Sequence, residues 1–144
     1  MNEFLMLSGS SVTLGEIVTG VLVGAVMALF ANLIIFFSLR RMVPGGIQVV
    51  QPGQTTPKAL PPAAVVAATL IPAVGAGAVL WLLAQNVAQP LPLFIGVSVV
   101  LLLLSLLAPA RLPVANRSKG VLILMHFAAA VGIVVGLLWA VRVQ

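Results

Sequence analysis

Cysteine, tyrosine and aspartate are all absent from this chain, and only 6% of its residues are charged. The lack of cysteine excludes disulfide bonds, thiolate metal sites and a cysteine nucleophile. A soluble globular domain has about 25% charged residues, whereas 62% of this chain is hydrophobic and its mean hydropathy is +1.27. The composition therefore excludes an ordinary soluble domain and indicates an integral membrane protein whose first partner is the lipid bilayer.

The few charged residues divide the chain into four apolar runs. Each run is about long enough to cross a bilayer as a helix, and the four predicted spans are residues 14–39, 63–83, 92–107 and 120–141. We therefore predict an all-α fold, in which residues 1–144 form a single integral membrane four-helix bundle made of two helical hairpins.

Local signals predict where these spans begin and end. Thr13 and Glu16 have the spacing of a capping box at the start of the first span. The stretch 44–62 is rich in proline and glycine, cannot continue a helix, and is predicted to be an extended polar loop. Pro92 suits the first turn of the third span, and Pro109 is expected to stop that span.

The basic residues predict the orientation of the bundle. Six of the seven lie in or beside loops 40–62 and 108–119: Arg40, Arg41, Lys58, Arg111, Arg117 and Lys119. By the positive-inside rule both loops are cytoplasmic, and Arg142 alone would favour the inverse. Trp81 and Trp139 then share the outer interface, a depth that tryptophan favours. We expect a multi-pass protein of the bacterial inner membrane with both the N-terminus and the C-terminus outside.

Small residues predict which helix faces pack together, because membrane helices associate where their backbones can approach closely. They recur at every fourth position in two spans: Gly20, Gly24 and Ala28 in the first, and Ala128, Gly132, Gly136 and Ala140 in the last. The second span adds Ala73, Gly75, Ala76, Gly77 and Ala78. The third span is rich in leucine, with Gly96 and Ser98 as its only comparable notches, and we expect it to face mostly lipid. Packing within one chain is favoured over homodimerisation.

Pro72 lies in the middle of the second span and is expected to kink it, because proline removes a backbone hydrogen bond. The carbonyl freed near Ala68 then needs a partner. The Thr69 hydroxyl is a candidate, since hydroxyl side chains commonly satisfy such carbonyls in membrane helices.

One hydrogen-bonding side chain from each span is predicted at a similar depth. Counting 1.5 Å per residue from the cytoplasmic boundary places Asn32, Thr69, Ser105 and His126 roughly 6 to 12 Å inside it. An ionisable residue within a membrane indicates a functional site by default, because its burial is unfavourable without a partner. This layer is our candidate cofactor-binding site.

His126 is the only histidine and allows two interpretations. It could be an axial ligand of a haem or pigment, a quinone contact or a proton-relay group. Alternatively, it is a neutral imidazole bonded to Asn32 or Ser105, which holds helices in register. We expect no cofactor to be required, while haem, pigment or quinone remain candidates at this layer.

Catalysis and nucleic-acid binding are both disfavoured. Glu16 and His126 are predicted toward opposite faces of the membrane, whereas acid and base catalysis needs both groups near one substrate. No cluster of metal ligands is evident either. The basic residues are divided between separate loops and form no continuous stripe. We therefore expect no enzyme activity, no catalytic residue, no metal site and no nucleic-acid partner.

Four short motifs carry a resemblance to a known family: Ala31-Asn32-Leu33-Ile34-Ile35-Phe36, Leu70-Ile71-Pro72-Ala73, Leu104-Ser105-Leu106-Leu107-Ala108-Pro109 and Leu124-Met125-His126-Phe127. With them the chain resembles, from about residue 18 to 138, a bacterial family of small four-span membrane proteins of unknown function. The resemblance implies the same four-helix fold and draws attention to Asn32, Pro72, Ser105 and His126. It brings no known activity, and the long first loop departs from the shorter connection expected of that family.

Three functions follow from these observations. The first is a non-catalytic accessory or structural subunit of a bacterial inner-membrane assembly, with other membrane protein subunits as partners. The second is a four-helix bundle that binds haem, pigment, quinone or lipid beside His126. The third is a small transporter or channel, which would need a water-filled cavity reaching the polar layer.

Overall fold

The computed structural model describes residues 12–51 and 53–142 and contains four long helices in that part of the chain. Helix α1 covers Leu14–Leu39, α2 Pro62–Asn86, α3 Pro90–Arg111 and α4 Asn116–Arg142, while strands β1 (Gln48–Val49) and β2 (Lys58–Ala59) lie between α1 and α2. The predictions that fall on residues 1–11, Pro52 and residues 143–144, including the two chain ends, lie outside the described residues.

All four helices are long and apolar enough to span a membrane, which confirms the predicted all-α architecture. They contain 22 to 27 residues, which at 1.5 Å per residue corresponds to about 33 to 40 Å. The hydrocarbon core of a bilayer is about 30 Å thick. Each helix is therefore long enough to cross it.

Helix α1 begins at the predicted capping box. The Thr13 Oγ1 atom accepts a hydrogen bond from the Glu16 backbone N–H at 3.2 Å. In return, a Glu16 carboxylate oxygen accepts from the Thr13 N–H at 2.6 Å and from the Thr13 hydroxyl at 2.9 Å. These bonds satisfy N–H groups that a helix start otherwise leaves unpaired.

Helices α1 and α4 make the most extensive contact in the bundle, and they meet through the predicted small residues. A Cβ atom placed on Gly20 would lie 2.8 Å from the Leu137 Cα, and one on Gly132 would lie 2.8 Å from the Ala28 nitrogen. A Cβ on Gly136 would overlap the backbone of Gly24. The small residues of both helices are thus used for packing within the chain.

Helix α2 uses only part of its small-residue run for packing. Ala73 and Gly77 are buried, and a Cβ on Gly77 would overlap the Val21 side chain of α1. Gly75 and Ala78 are exposed, with open space around Gly75. Only the residues on the α1 side of α2 therefore pack as the sequence predicts.

Helix α3 is the least buried of the four. Among its described residues only Phe94 and Pro109 are buried, so most of its surface faces away from the bundle, as the leucine-rich sequence predicts. The prediction of a packing notch at Gly96 was wrong, because no neighbouring atom lies within 4 Å of a Cβ placed there.

The segment between α1 and α2 differs from the predicted extended polar loop. Strands β1 and β2 pair in antiparallel fashion, with Gln48 opposite Ala59. Val43 and Ile47 are buried at 5% and 2% exposure against a cluster that includes Phe36 of α1. The prediction followed the proline and glycine content of the segment, whereas its two isolated apolar side chains anchor it to the bundle.

Several helix ends also differ from the predicted ones, and helix α2 ends at Asn86, three residues beyond the predicted end. Helix α3 starts at Pro90 and runs through Pro109 to Arg111, because a proline near the end of a helix removes only one hydrogen bond while the remaining turn can still form. Helix α4 begins at Asn116, four residues before the predicted start. The short polar segment of α4 lies under the hairpin, where the Ser118 hydroxyl accepts from the Gln48 N–H at 3.2 Å.

Candidate functional site

A cavity of about 700 Å³ lies between α2, α3 and α4. Along α2 its wall extends from Ala64 to Val79, which at 1.5 Å per residue is about 22 Å. The hairpin residues Val49 and Leu60 also line it. The cavity is therefore long and narrow, and it runs along the helices for most of a membrane core.

The wall of this cavity is mostly apolar. Its polar side chains are those of Asn32, Ser98, Ser105 and His126, and it carries no charged side chain among the described residues. Such a wall suits a molecule that is soluble in the membrane, because an ion placed there would lose its hydration without gaining a counter-charge.

Three of the four predicted site residues line this cavity. Asn32 of α1, Ser105 of α3 and His126 of α4 are wall residues. Thr69 of α2 is fully buried behind the wall and contacts Asn32 instead. The structure thus places three of these residues in the wall of one cavity, while their assignment to a cofactor stays a prediction.

Asn32 and Thr69 form a directed chain of hydrogen bonds. The Thr69 hydroxyl donates to the Val65 carbonyl at 2.8 Å, so its oxygen can accept the Asn32 Nδ2–H, which lies 2.9 Å away. This arrangement fixes the orientation of the Asn32 amide. Its other end, Oδ1, is buried and has no hydrogen-bond partner among the described residues.

The same chain corrects the predicted role of Thr69. Its hydroxyl was expected to satisfy the carbonyl of Ala68, to which Pro72 has no N–H to donate, yet it donates to the carbonyl of Val65, four residues before Thr69. Thr69 points toward α1, whereas Ala68 and Pro72 line the cavity on another side of α2. The predicted kink at Pro72 stays a prediction.

His126 does not make the predicted bond to Asn32 or Ser105. Its Nδ1 atom lies 2.8 Å from the carbonyl oxygen of Leu122 on the same helix. A carbonyl only accepts, so Nδ1 carries the proton, and Nε2 of a neutral ring is then an acceptor. No described residue forms a hydrogen bond with Nε2. His126 therefore leaves a free acceptor at a half-buried position of the wall.

Ser105 likewise bonds within its own helix. Its hydroxyl donates to the Leu102 carbonyl at 2.7 Å, which uses its only proton. The oxygen keeps lone pairs that can accept a hydrogen bond. Neither Ser105 nor His126 joins two helices by a side-chain bond, so the interpretation of the layer as a set of interhelical bonds holds only for Asn32 and Thr69.

Sequence reasoning missed two features of the wall. Ser98 was treated as a packing notch, although its position seven residues before Ser105 places both on one face of α3. Pro109 was treated as a helix stop, whereas it lies inside α3 as Pro72 lies inside α2. Both prolines line the cavity. The spacing of the two serines and the presence of a proline in both spans could have predicted this face from the sequence.

The four spanning helices and the cavity among them define a multi-pass membrane protein. The chain belongs to DUF6069, a family of unknown function whose model matches residues 12–143. This match confirms the resemblance to a small four-span family. Searches of curated proteins and of solved structures found no match.

Proposed function

We propose that this protein is a non-catalytic membrane protein that binds a membrane-soluble, mostly apolar molecule between α2, α3 and α4. The observation that carries the proposal is the cavity of about 700 Å³ with Asn32, Ser105 and His126 in its wall. Ligand-binding pockets typically measure about 300 to 1,000 Å³ and combine apolar walls with a few polar groups. This cavity has both properties.

The shape and polarity of the cavity narrow the class of ligand. A length of about 22 Å suits a chain-like molecule such as a lipid or an isoprenoid quinone. The mostly apolar wall supports binding of such a molecule over passage of ions or water, because a conducting path needs polar groups along its length. Ligand binding is therefore better supported than the transporter or channel.

Two glycines provide a matched test of the cavity. Gly75 of α2 lines it and Gly96 of α3 does not, and a side chain added at either meets no neighbour within 4 Å. We expect Gly75→Phe to fill part of the cavity while Gly96→Phe projects away from the bundle. Both variants place the same ring on an exposed helix surface, so they share any nonspecific effect.

The measurement is mass spectrometry of molecules that remain bound after purification in mild detergent. Wild type and Gly96→Phe are expected to retain the same species at close to one per chain, and Gly75→Phe to retain much less. Equal retention by both variants would contradict binding in this cavity. An absorption spectrum of wild type and His126→Ala, recorded on the same samples, tests for haem or a pigment.

We also propose that the protein lies in a bacterial inner membrane with both termini outside. The supporting observation is that six basic residues gather at one end of the bundle, where the hairpin bonds to Ser118 and the Lys119 ammonium donates to the Ala110 carbonyl at 3.3 Å. At this end the Arg40 guanidinium lies 4.8 Å from the Phe37 ring centroid. Cations at this density favour the cytoplasmic side.

The absence of cysteine makes this orientation easy to test. Gln54 and Gln89 are exposed and lie at opposite ends of the bundle. A membrane-impermeant maleimide is expected to label Gln89→Cys in intact cells, and Gln54→Cys only after the cells are permeabilised. The reverse pattern would show the inverted orientation.

An accessory role in a larger membrane assembly is the remaining part of the proposal. It rests on the scarcity of reactive side chains in the sequence rather than on a contact in the fold. Purification from native membranes with stoichiometric partner subunits is the expected result. Repeated recovery of the chain alone would count against the accessory role without affecting ligand binding.

A further inference from the structure

We propose that the cavity selects molecules whose polar end carries a hydroxyl group that donates a hydrogen bond. The shared chemistry is that of a quinol or of a lipid alcohol with an apolar tail. This inference rests on the proposed binding function and adds to it the identity of the recognised group. It follows from an imbalance between acceptors and donors at the wall.

Ser105 and His126 present acceptors to the cavity, because the one donor of each side chain is already used. The Ser105 hydroxyl donates to Leu102, and the His126 Nδ1–H donates to Leu122. What remains are the lone pairs of the Ser105 oxygen and of the His126 Nε2. Both residues border the cavity, so a ligand near them meets groups that accept.

Asn32 adds a buried acceptor to which no described residue donates. It is 4% exposed, its Nδ2 donates to Thr69, and its Oδ1 has no partner among the described residues. Buried carbonyl oxygens are nearly always hydrogen-bonded in native proteins. Because Oδ1 is almost fully covered, a ligand hydroxyl reaches it after a small rotation of a neighbouring apolar side chain.

The two internal prolines free backbone carbonyls on the same wall. A proline has no N–H, so Pro72 cannot donate to the Ala68 carbonyl, nor Pro109 to the Ser105 carbonyl. Both prolines and both carbonyl-bearing residues line the cavity. No described side chain donates to either carbonyl. Each carbonyl therefore lacks its usual N–H donor four residues on, at a residue that lines the cavity.

Ser98 is a polar wall residue that does not follow the pattern of Ser105 and His126. Its hydroxyl makes no hydrogen bond with a described residue, so it can donate as well as accept. It lies two helical turns from Ser105, about 10 Å along α3. Acceptors thus dominate at the layer of Asn32 and His126, and Ser98 serves as an internal control.

Competition between matched pairs of probes tests the inference. One pair is an isoprenoid-tailed hydroquinone and its dimethyl ether, and the other is a diacylglycerol and its methyl ether. Members of a pair share their tail and oxidation state but differ in the donor. Native mass spectrometry of the purified full chain, exchanged into detergent with equimolar pairs, reports the occupancy of each probe.

We expect the hydroxyl member of a pair to be favoured about tenfold, the ratio that one well-made hydrogen bond supplies. Preference within the hydroquinone pair identifies a quinol as the source, and preference within the other pair a lipid alcohol. His126→Phe, at a half-buried position, is expected to reduce the preference about threefold or more. Ser98→Ala is expected to leave it unchanged or raise it.

The outcomes separate this inference from the proposed function. Binding of hydroxyl and ether probes with equal occupancy would overturn donor selection and leave the binding function standing. An equal loss of preference in His126→Phe and Ser98→Ala would also overturn it. Failure of wild type to bind any probe beyond the occupancy of Gly75→Phe would overturn the binding function itself.

Discussion

Replacement of Asn32 by leucine separates a structural role for this residue from a binding role. The side chain contributes one interhelical hydrogen bond, from Nδ2 to Thr69 at 2.9 Å, and leaves Oδ1 buried without a partner. Interhelical hydrogen bonds in membrane proteins contribute about 0.6 to 2 kcal/mol. An unpartnered buried acceptor costs about 1 to 3 kcal/mol. The cost of burying Oδ1 without a partner is therefore as large as the contribution of the interhelical hydrogen bond, or larger.

We therefore expect Asn32→Leu to leave the free energy of unfolding unchanged or to raise it by about 1 kcal/mol. The leucine has a similar size, so it leaves no large cavity. The Thr69 hydroxyl keeps its bond to Val65 after the change. The same substitution is expected to reduce retention of the bound species, because it removes a polar group from the wall.

Thr69→Val is the matched comparison, because it removes the other partner of the same bond. It keeps the shape of the side chain but leaves both ends of the Asn32 amide unpaired. We expect it to lower the free energy of unfolding by about 1 to 3 kcal/mol. Two substitutions that break one hydrogen bond are thus expected to act with opposite sign or with clearly different size.

Reversible unfolding in mixed micelles, followed by far-ultraviolet circular dichroism, measures both variants. A loss of more than about 2 kcal/mol in Asn32→Leu would refute the reasoning, since it would show that Oδ1 has a stabilising partner in the fold. Addition of the double variant completes a double-mutant cycle, which isolates the coupling between the two side chains.

Three further predictions concern the packing of α1 against α4, the cap of α1 and the attachment of the hairpin. Gly136→Ala places a methyl group against the Gly24 backbone and is expected to lower the free energy of unfolding in mixed micelles by about 1 to 3 kcal/mol. Its control is Gly75→Ala, which adds a methyl group in open space and is expected to leave the free energy of unfolding unchanged or to raise it. Equal effects of the two substitutions would contradict the α1–α4 packing. Thr13→Ala is expected to lower the free energy of unfolding by about 1 kcal/mol, because the helix loses its N-cap. Hydrogen exchange at the start of α1 is expected to become faster, and unchanged exchange would contradict a role of the cap. Ile47→Ala truncates a side chain that is 2% exposed and packs against the bundle. We expect proteases to cleave the hairpin of this variant faster than that of a variant with an alanine at an exposed hairpin position.

The spans and the packing faces of α1 and α4 were predictable because each depends on a repeated pattern. The mean hydropathy of a whole span depends little on any single residue, so a span can be predicted even where it contains a polar side chain. The helix Leu14–Leu39 has the predicted bounds. Glycine and alanine at every fourth residue specify a face without any knowledge of the partner helix. Gly24 and Gly136 therefore lie in packing faces as expected, while the isolated Gly96 of α3 packs against nothing.

The hairpin and the hydrogen-bond partners were not predictable in the same way. Val43 and Ile47 are single apolar residues in a polar, glycine-rich segment, and no period reveals that they are anchored. The partner of His126 depends on its rotamer and on the rotation of α4 about its own axis. A residue count along the helix gives depth, and depth alone does not distinguish a bond to Leu122 from one to Ser105.

Sequence by itself determined four apolar spans, the capped start of α1, the gathering of basic residues in two loops and the common depth of four polar side chains. These properties depend on composition and on spacing along one helix at a time. Only the tertiary structure decided that Asn32, Ser105 and His126 border a single cavity, and that the donors of Ser105 and His126 are used before a ligand arrives. Donor use depends on which groups lie within about 3 Å of each other, and that distance is a property of helices already packed together.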